Sequence, residues 1–273
     1  MSCSELSLAA GVPLAGTATQ THRFLVVEHP GPWGRDAVPD TELPPDVADA
    51  LLAFEGRVML ARRPGRPDAA VTAFVAEVTE EGGALRRIEL ERLEDVASLD
   101  EKDGTAVDGP LLLVCAHRRR DVCCARLGVP VFNALRPHVP RDLLWRSSHH
   151  GGHRFAANVL ALPAGIQLGR VTPDEAQEVA AALAEGRIPL AHFRGRTLHA
   201  PEVQTADAAV RVRDRLDRLS DVRLVEHDRG RVVLATPTGV VEVRVDGAPG
   251  PILPSSCGAE PEPTVVLVAT PVG

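Results

Sequence analysis

Apolar runs in the first hundred residues alternate with turn-forming residues and predict a small α/β unit. The run FLVVE at 24–28 predicts a buried strand, and the HPGPWG that follows it predicts a turn. Prolines open PPDVADALLAFE at 44–55, where apolar residues recur at helical spacing, so this stretch predicts a helix. Three more strands are predicted at VMLA (58–61), TAFVAEV (72–78) and LRRIEL (85–90). The predicted order is β-α-β-β-β.

A second unit begins at LLLVC, residues 111–115, a continuous apolar run typical of a strand buried on both faces. The polar turn AHRRRD precedes a predicted helix over about 123–135, which Pro137 ends. LLWRS at 143–147 predicts a strand, FAANVLALP and GIQLGRV predict a hairpin, and TPDEAQEVAAALAEG at 172–186 predicts a capped helix. The order β-α-β-loop-β-β-α predicts a thioredoxin-like domain.

The remaining residues predict a smaller α+β appendage, with a charged helix near 203–219 followed by the strands RLVEH, RVVLATP and VVEVRV. HFRGRTLHAP at 192–201 predicts a connector, and the acidic, turn-rich stretch 93–110 predicts a linker. The fold class is therefore α/β, a thioredoxin-like domain preceded by a related α/β unit and followed by an α+β appendage. We expect three units, with bounds 1–105, 106–200 and 201–273.

Composition narrows the expected partners. The 273 residues are 44% apolar and carry a net charge of −7, with no basic face that alternates with aromatic residues, so we expect neither nucleic acid nor an anionic membrane as a partner. No apolar run reaches the roughly 18 residues of a membrane span. The first twenty residues lack the basic region of a secretion signal. We therefore expect a cytoplasmic protein, whose oligomeric state the sequence does not predict.

The five cysteines carry the most chemical information. An odd number argues against a disulfide framework and favours thiols that are free, redox-active or bound to metal. Cys115, Cys123 and Cys124 lie within ten residues of one another, between the end of a strand and the start of a helix. Cys3 and Cys257 stand alone, and Cys257 in SSCGAE has no predicted role.

Two strand ends present soft or borderline metal ligands. They are Cys115 with Cys123 or Cys124 at the first strand end, and His149 or His150 with His153 in SSHHGGHRFAAN at the second. Thiolates and imidazoles favour zinc, iron–sulfur or copper. The gap of seven or eight residues between the cysteines is wider than a zinc knuckle, and it favours a larger [2Fe–2S] cluster. The glycines at 151 and 152 would let the backbone pass close to the metal.

In these residues the chain resembles the sucrase/ferredoxin-like family of thioredoxin-like ferredoxins. The resemblance rests on FLVVEHPGPWGRDA, on LLLVCAHRRRDVCCARLG and on LLWRSSHHGGHRFAANVLALPAGIQLGRV, within which HxGGHxFAxN is quite specific, and it spans residues 14 to 200 approximately. It implies a [2Fe–2S] cluster held by two cysteines and two histidines. Motif for motif, the implied ligands are Cys115 and Cys124 on one iron and His149 and His153 on the other, with Cys123 and His150 as second choices.

The leading hypothesis is one-electron transfer to or from unidentified redox partner proteins, by an electron carrier rather than an enzyme with its own substrate. Two histidine ligands would raise the reduction potential above the roughly −400 mV of plant-type ferredoxins, and their protons could couple to electron transfer. The arginines at 118–120 form either a solvated face or a surface that attracts an acidic partner.

Two alternatives remain. One is a thiol–disulfide oxidoreductase, although no C-x-x-C motif opens the helix. The other is a structural zinc module.

Overall fold

The computed structural model describes residues 1–64 and 70–272, which form a ten-stranded mixed sheet and a separate four-stranded sheet. Within these residues the helices are α1 (Cys3–Ala9), α2 (Pro45–Ala53), α3 (Val122–Leu135), α4 (Ala176–Ala184) and α5 (Pro201–Asp214). The strands are β1 (Arg23–Glu28), β2 (Arg57–Arg62), β3 (Val71–Glu77), β4 (Ala84–Leu90), β5 (Thr105–Ala106), β6 (Leu111–Cys115), β7 (Leu144–Ser147), β8 (Val159–Leu162), β9 (Ile166–Leu168), β10 (Phe193–Arg196), β11 (Arg223–Asp228), β12 (Arg231–Thr236), β13 (Gly239–Pro254) and β14 (Pro261–Val272). The predicted α/β class with a C-terminal appendage is confirmed.

The ten-stranded sheet has the order β10-β9-β8-β6-β7-β2-β1-β3-β4-β5. In its second half β6 and β7 are parallel, β8 runs antiparallel to β6, and β9 runs antiparallel to β8. The elements follow the predicted order, β6-α3-β7-β8-β9-α4. The apolar run LLLVC is buried along its whole length, as expected of a strand covered on both faces.

The first half of the sheet repeats this arrangement. Strands β1 and β2 are parallel and are connected through α2, while β3 runs antiparallel to β1 and β4 antiparallel to β3. The two halves meet where β2 and β7 pair antiparallel, at Ala61 with Ser147 and at Arg62 with Arg146. Both units therefore contribute to one sheet, and the unit bounds at 105 and 200 stay a prediction.

The appendage consists of α5 and the sheet β11-β12-β13-β14. Its core contains Val203 and Val210 of the helix together with Val232 and Val243 of the strands. Its last residue, Gly273, lies outside the described residues. The long hairpin of β13 and β14 was not predicted, because prolines and glycines interrupt its apolar pattern.

Two further elements differ from the sequence prediction. The stretch HFRGRTLHAP contains the edge strand β10. Two of its buried positions are the charged residues Arg194 and Arg196, so the sequence does not show the alternation of apolar and polar residues that predicts a strand. The short helix α1 was also not predicted. The hydroxyl of Ser2 accepts a hydrogen bond from the Glu5 N–H, and the Glu5 carboxylate accepts one from the Ser2 N–H, which together cap the helix start.

Helix α3 lies against β6 with very little space between the two backbones. A Cβ atom at Gly128 would lie 2.0 Å from the carbonyl oxygen of Cys115, closer than atoms can approach. Val131, Phe132 and Leu135 of the same helix are buried in the core on this side of the sheet. Gly128 therefore sets how closely the helix approaches the strand end that carries Cys115.

We expect Gly128→Ala to lower the free energy of unfolding by about 1–3 kcal/mol, because the helix must move away from β6. Urea denaturation measures this change. The control is Val122→Ala on the exposed face of the same helix, expected to change stability by no more than about 0.5 kcal/mol. Equal effects of the two substitutions would contradict the close approach.

Candidate metal centre

The candidate site forms where two parallel strands end side by side. Cys115, the last residue of β6, is the register partner of Ser147, the last residue of β7. The loop after β6 leads into α3, and the loop after β7 contains the predicted histidines. Because the carboxyl ends of parallel strands lie at one edge of a sheet, both loops meet there.

Three of the predicted ligand atoms converge at this edge. The Nδ1 atom of His149 lies 3.7 Å from the sulfur of Cys115 and 3.5 Å from the sulfur of Cys124. These ligand atoms all lie within 4.8 Å of one another, as a metal site requires. Both cysteines are buried and His149 is partly exposed, so the group reaches the surface on the side of His149.

The two sulfurs share charge unequally. A hydrogen bond from Cys124 is the largest cause that holds the pKa of Cys115 well below its usual value. The same hydrogen bond, followed by burial, raises the pKa of Cys124. The shared hydrogen bond therefore favours the charged form of Cys115 and the neutral form of Cys124, and the thiolate is the form that binds a metal.

His149 is held by residues from both halves of the sheet. Its backbone N–H donates to Nδ1 of His117 at 3.2 Å, and its carbonyl accepts from Arg57 at 2.8 Å. His117 in turn donates from Nε2 to the carbonyl of Gly34 at 2.6 Å. These bonds assign the tautomer of His117. The HPGPWG turn therefore contributes to the site. The carbonyl of Gly34 holds the side chain of His117, and this side chain accepts a hydrogen bond from the backbone of His149.

His153 lies beside this group, with its ring centroid 5.3 Å from that of His149. Its Nε2 donates a hydrogen bond to the carbonyl of Ser255, so its Nδ1 carries the lone pair. That Nδ1 atom is buried and has no hydrogen-bond partner in the described part of the chain. Burial lowers the pKa of His153, which favours the neutral ring that binds a metal. The buried, unpaired nitrogen fits a fourth ligand.

The second-choice histidine, His150, is held through its Nδ1, while its Nε2 is buried and has no hydrogen-bond partner in the described residues. Its side chain is buried, its Nδ1 accepts a hydrogen bond from the amide of Gln167 at 3.1 Å, and its carbonyl accepts another at 2.7 Å. Burial lowers its pKa to about 3. Neither His150 nor His153 is among the described residues whose ligand atoms group with Cys115 and Cys124.

The second-choice cysteine, Cys123, also points away from Cys115. Its sulfur lies 3.6 Å from that of Cys3 and 3.3 Å from that of Cys257. These three sulfurs and a carboxylate oxygen of Asp121 form a second group within 4.8 Å. The described residues thus contain two groups of soft ligands, and the two consecutive cysteines belong to different ones.

The two glycines between His150 and His153 are required by backbone conformation and by close neighbours. Gly151 and Gly152 have φ angles of +93° and +71°, which side chains other than glycine rarely adopt. A Cβ at Gly151 would meet the hydroxyl of Thr19, and one at Gly152 would meet Arg194, each at 2.2 Å. The glycines therefore make room for the side chains of Thr19 and Arg194, and the expected close approach of this backbone to a metal stays a prediction.

Arg194 is hydrogen-bonded to the loop that carries His149, His150 and His153. Its buried guanidinium donates to the carbonyl of Gly151 at 3.0 Å and to Asn158 at 2.9 Å, and Asn158 donates to the carbonyl of Gly152 at 2.9 Å. Burial lowers the pKa of Arg194 to about 9. Asn158 stands in the HxGGHxFAxN motif and could have been singled out there, whereas no pattern in the sequence marked Arg194 or His117.

The fold and the site define an α/β protein whose clustered cysteine and histidine side chains could hold a metal. A family model described as sucrase/ferredoxin-like matches residues 14–195, more than half of the chain. The chain belongs to the sucrase/ferredoxin-like family. No solved structure matches it.

The curated relatives share the name Altered inheritance of mitochondria protein 32. The protein from Clavispora lusitaniae is 31% identical over 102 residues, which cover 34% of this chain and 37% of the relative. The protein from Candida glabrata is 30% identical over 98 residues, 31% of each chain. The match to these relatives therefore spans less than two fifths of their own length.

In the described part of the chain, no helix has both the length and the apolar character needed to span a membrane.

The lowered pKa of His150 predicts how stability depends on pH. Its folded-state pKa of about 3 lies below its usual value of 6.5, so the unfolded state binds more protons between these values. The stability that neutral His150 provides is present above pH 6.5 and is lost as the pH falls toward 3. For metal-free protein, we expect this group to remove about 2 kcal/mol between pH 7 and pH 5.

The substitution His150→Asn keeps an acceptor for Gln167 and should make the fall in unfolding free energy between pH 7 and pH 5 smaller by that amount. Denaturant titrations at several pH values measure it. The control His227→Asn changes an exposed histidine on β11 and should leave the slope as it is. An unchanged slope in His150→Asn would show that this imidazole is not kept neutral by burial.

Proposed function

We propose that this protein transfers single electrons through a [2Fe–2S] cluster bound by Cys115, Cys124, His149 and His153. The observation that carries the proposal is the convergence of the two buried sulfurs with Nδ1 of His149, 3.5 and 3.7 Å away, beside the unpaired buried Nδ1 of His153. Two thiolates and two imidazoles are a known donor set for such a cluster. When bound, the cluster would supply a centre that accepts and releases one electron.

The protein's own residues prepare this site. Cys115 and Cys124 provide a buried negative charge, while His117 and Arg57 fix the backbone of His149. The carbonyl of Ser255 fixes the tautomer that leaves Nδ1 of His153 free to bind. Such outer partners keep ligands in position and tune their basicity.

His153 also supports coupling between electron and proton transfer. Its Nε2–H faces the carbonyl of Ser255 and lies 3.8 Å from a carboxylate oxygen of Asp121. An imidazole ligand that keeps this far proton in the reduced protein can lose it on oxidation. Because oxidation would then release a proton, the reduction potential would fall as pH rises.

The partners would be acidic redox proteins that approach on the side of His149. Arg118 and Arg119 are exposed in the loop between Cys115 and α3, and Arg120 is partly exposed and pairs with Asp36. The two exposed positive charges in the loop that follows Cys115 would attract an acidic surface. As the compartment we propose the cytoplasm, since all five cysteines are free thiols, as a reducing environment maintains.

A second candidate function is a structural zinc site at the same residues. Its supporting observation is that the ligand atoms of Cys115, Cys124 and His149 lie close enough together to reach one ion. A zinc ion bound there would have Zn–S distances of about 2.3 Å and Zn–N distances of about 2.0 Å. The thiol–disulfide oxidoreductase receives less support, because both cysteines are buried and face a histidine.

The first test is metal analysis and absorption spectroscopy of anaerobically purified protein. We expect red-brown protein with about two iron and two sulfide per chain, which bleaches on reduction. Cys115→Ser and His149→Ala should lose the colour. The neighbouring substitutions Cys123→Ser and His150→Asn are matched controls that should keep it.

Other results would change the assignment. Colourless protein whose zinc is lost in Cys115→Ser would favour the zinc site. Colourless, metal-free protein that reduces small disulfides would favour the oxidoreductase.

The proton-coupling proposal predicts a pH-dependent potential. Between pH 6 and pH 10 the reduction potential should fall with a slope that approaches about 59 mV per pH unit, the value for one proton per electron. Redox titration followed by absorption measures it, and His150→Asn should show the same slope. A flat potential across this range would rule out proton coupling.

A further inference from the structure

The second group of ligands joins three distant parts of the chain. Cys3 lies in α1, Cys123 in the first turn of α3, and Cys257 between β13 and β14. Cys123 is 120 residues from Cys3 and 134 residues from Cys257. No ligand, family feature or relative assigns a role to this group.

The three sulfurs form a nearly equilateral triangle. Their separations are 3.6 Å between Cys3 and Cys123, 3.3 Å between Cys123 and Cys257, and 3.4 Å between Cys257 and Cys3. A disulfide bond is about 2.05 Å long, so these sulfurs are not bonded. Sulfurs bound to one tetrahedral zinc ion, each about 2.3 Å from it, lie about 3.8 Å apart. The observed triangle needs to widen by only a few tenths of an ångström to hold such an ion.

Asp121 supplies the fourth corner. Its carboxylate oxygens lie 3.9 and 3.8 Å from the sulfur of Cys3. The backbone N–H groups of Cys123 and Cys257 donate to these oxygens at 2.8 and 2.9 Å. Burial would raise the pKa of Asp121, but these hydrogen bonds outweigh it and the pKa is lowered. A charged carboxylate therefore stands beside three sulfurs, two of them fully buried.

Apolar packing accounts for buried cysteines, and capping of α3 accounts for the Asp121 carboxylate, but neither requires three sulfurs and a carboxylate oxygen within 4.8 Å of one another. A cation in the middle would balance that charge and the thiolates. Iron–sulfur clusters are held by thiolates and imidazoles, so the carboxylate among these donors favours a single ion. The hard carboxylate oxygen beside soft thiolates suits zinc, which accepts both, better than copper(I).

We propose that Cys3, Cys123, Cys257 and Asp121 form a second metal site that binds one zinc ion and fastens the β13–β14 hairpin to the start of α3. Ser255, two residues before Cys257, holds His153 in the first site. The zinc ion would thus stabilise the segment that covers the candidate electron-transfer centre. Binding would release the protons of the thiols that coordinate the ion.

The experiment uses the full chain and counts zinc, iron, copper and sulfide per protein. We expect one zinc in the unaltered protein, and we expect Cys257→Ser to lose most of this zinc while it keeps its iron and sulfide. Cys115→Ser is the reciprocal control and should lose iron but keep zinc. Cys257 is the most accessible of the three cysteines, so its substitution disturbs folding least.

A second measurement does not depend on that substitution. Cobalt added to zinc-free Cys115→Ser protein should produce thiolate-to-cobalt absorption and the intense visible bands of a tetrahedral site, which equimolar zinc should abolish. An intact mass lower by two hydrogens would reveal a disulfide and overturn the proposal. Copper in place of zinc, no bound metal, or zinc that disappears in Cys115→Ser would overturn it as well. Because iron and zinc are counted separately, this site can fail while the electron-transfer proposal stands, and the reverse.

Discussion

The candidate site depends on the parallel pairing of β6 with β7. The register that sets Cys115 beside Ser147 makes both following loops leave the same edge of the sheet. One loop returns as α3, whose first turn carries Cys124, and the other carries His149. A register shift of one residue would turn the side chain of Cys115 to the opposite face. His149 then could not meet both Cys115, which lies 34 positions earlier in the chain, and Cys124, which lies 25 positions earlier.

The repeated arrangement in the first half of the sheet has a different use. There, Glu28 and Ala61 are the strand-end partners that correspond to Cys115 and Ser147. Within the described part of this half, the loop after β1 offers no cysteine, and it provides the carbonyl of Gly34 that holds His117. Of the two similar units, one thus contains the candidate ligands and the other provides the carbonyl that holds His117 beside them.

Much of the α/β region could be predicted because its signals are local. Buried strands such as β6 are continuous apolar runs, and α3 begins after a turn of polar residues. Strand β10 could not be predicted, since its buried arginines find their partners in loops far along the chain. Strand β14 is exposed over much of its length. Its sequence therefore lacks the regular alternation of buried apolar and exposed polar residues from which a strand is predicted.

Local signals also predicted part of the candidate site. The motifs marked the two loops, because ligands cluster at short spacing in the sequence. The second group was not marked, because Cys3 and Cys257 are 254 residues apart and neither shows a pattern by itself. The contact of Gly151 with Thr19 was not marked for a similar reason, since that hydroxyl lies in a segment 132 positions earlier.

The pair Cys123 and Cys124 shows why spacing alone left the ligand choice open. Successive residues on an α-helix point about 100° apart, so adjacent cysteines in the first turn of α3 face different neighbours. Cys124 faces His149, while Cys123 faces Cys3 and Cys257.

Asp121 contacts both the second group and His153 of the candidate site. It accepts hydrogen bonds from the backbone N–H groups of Cys123 and Cys257, and one of its oxygens lies 3.8 Å from Nε2 of His153. The carboxylate is buried, where charges are screened little by solvent. A change of charge in one group therefore alters the electrostatic environment of the other, through Asp121 and through Cys123, which lies next to Cys124.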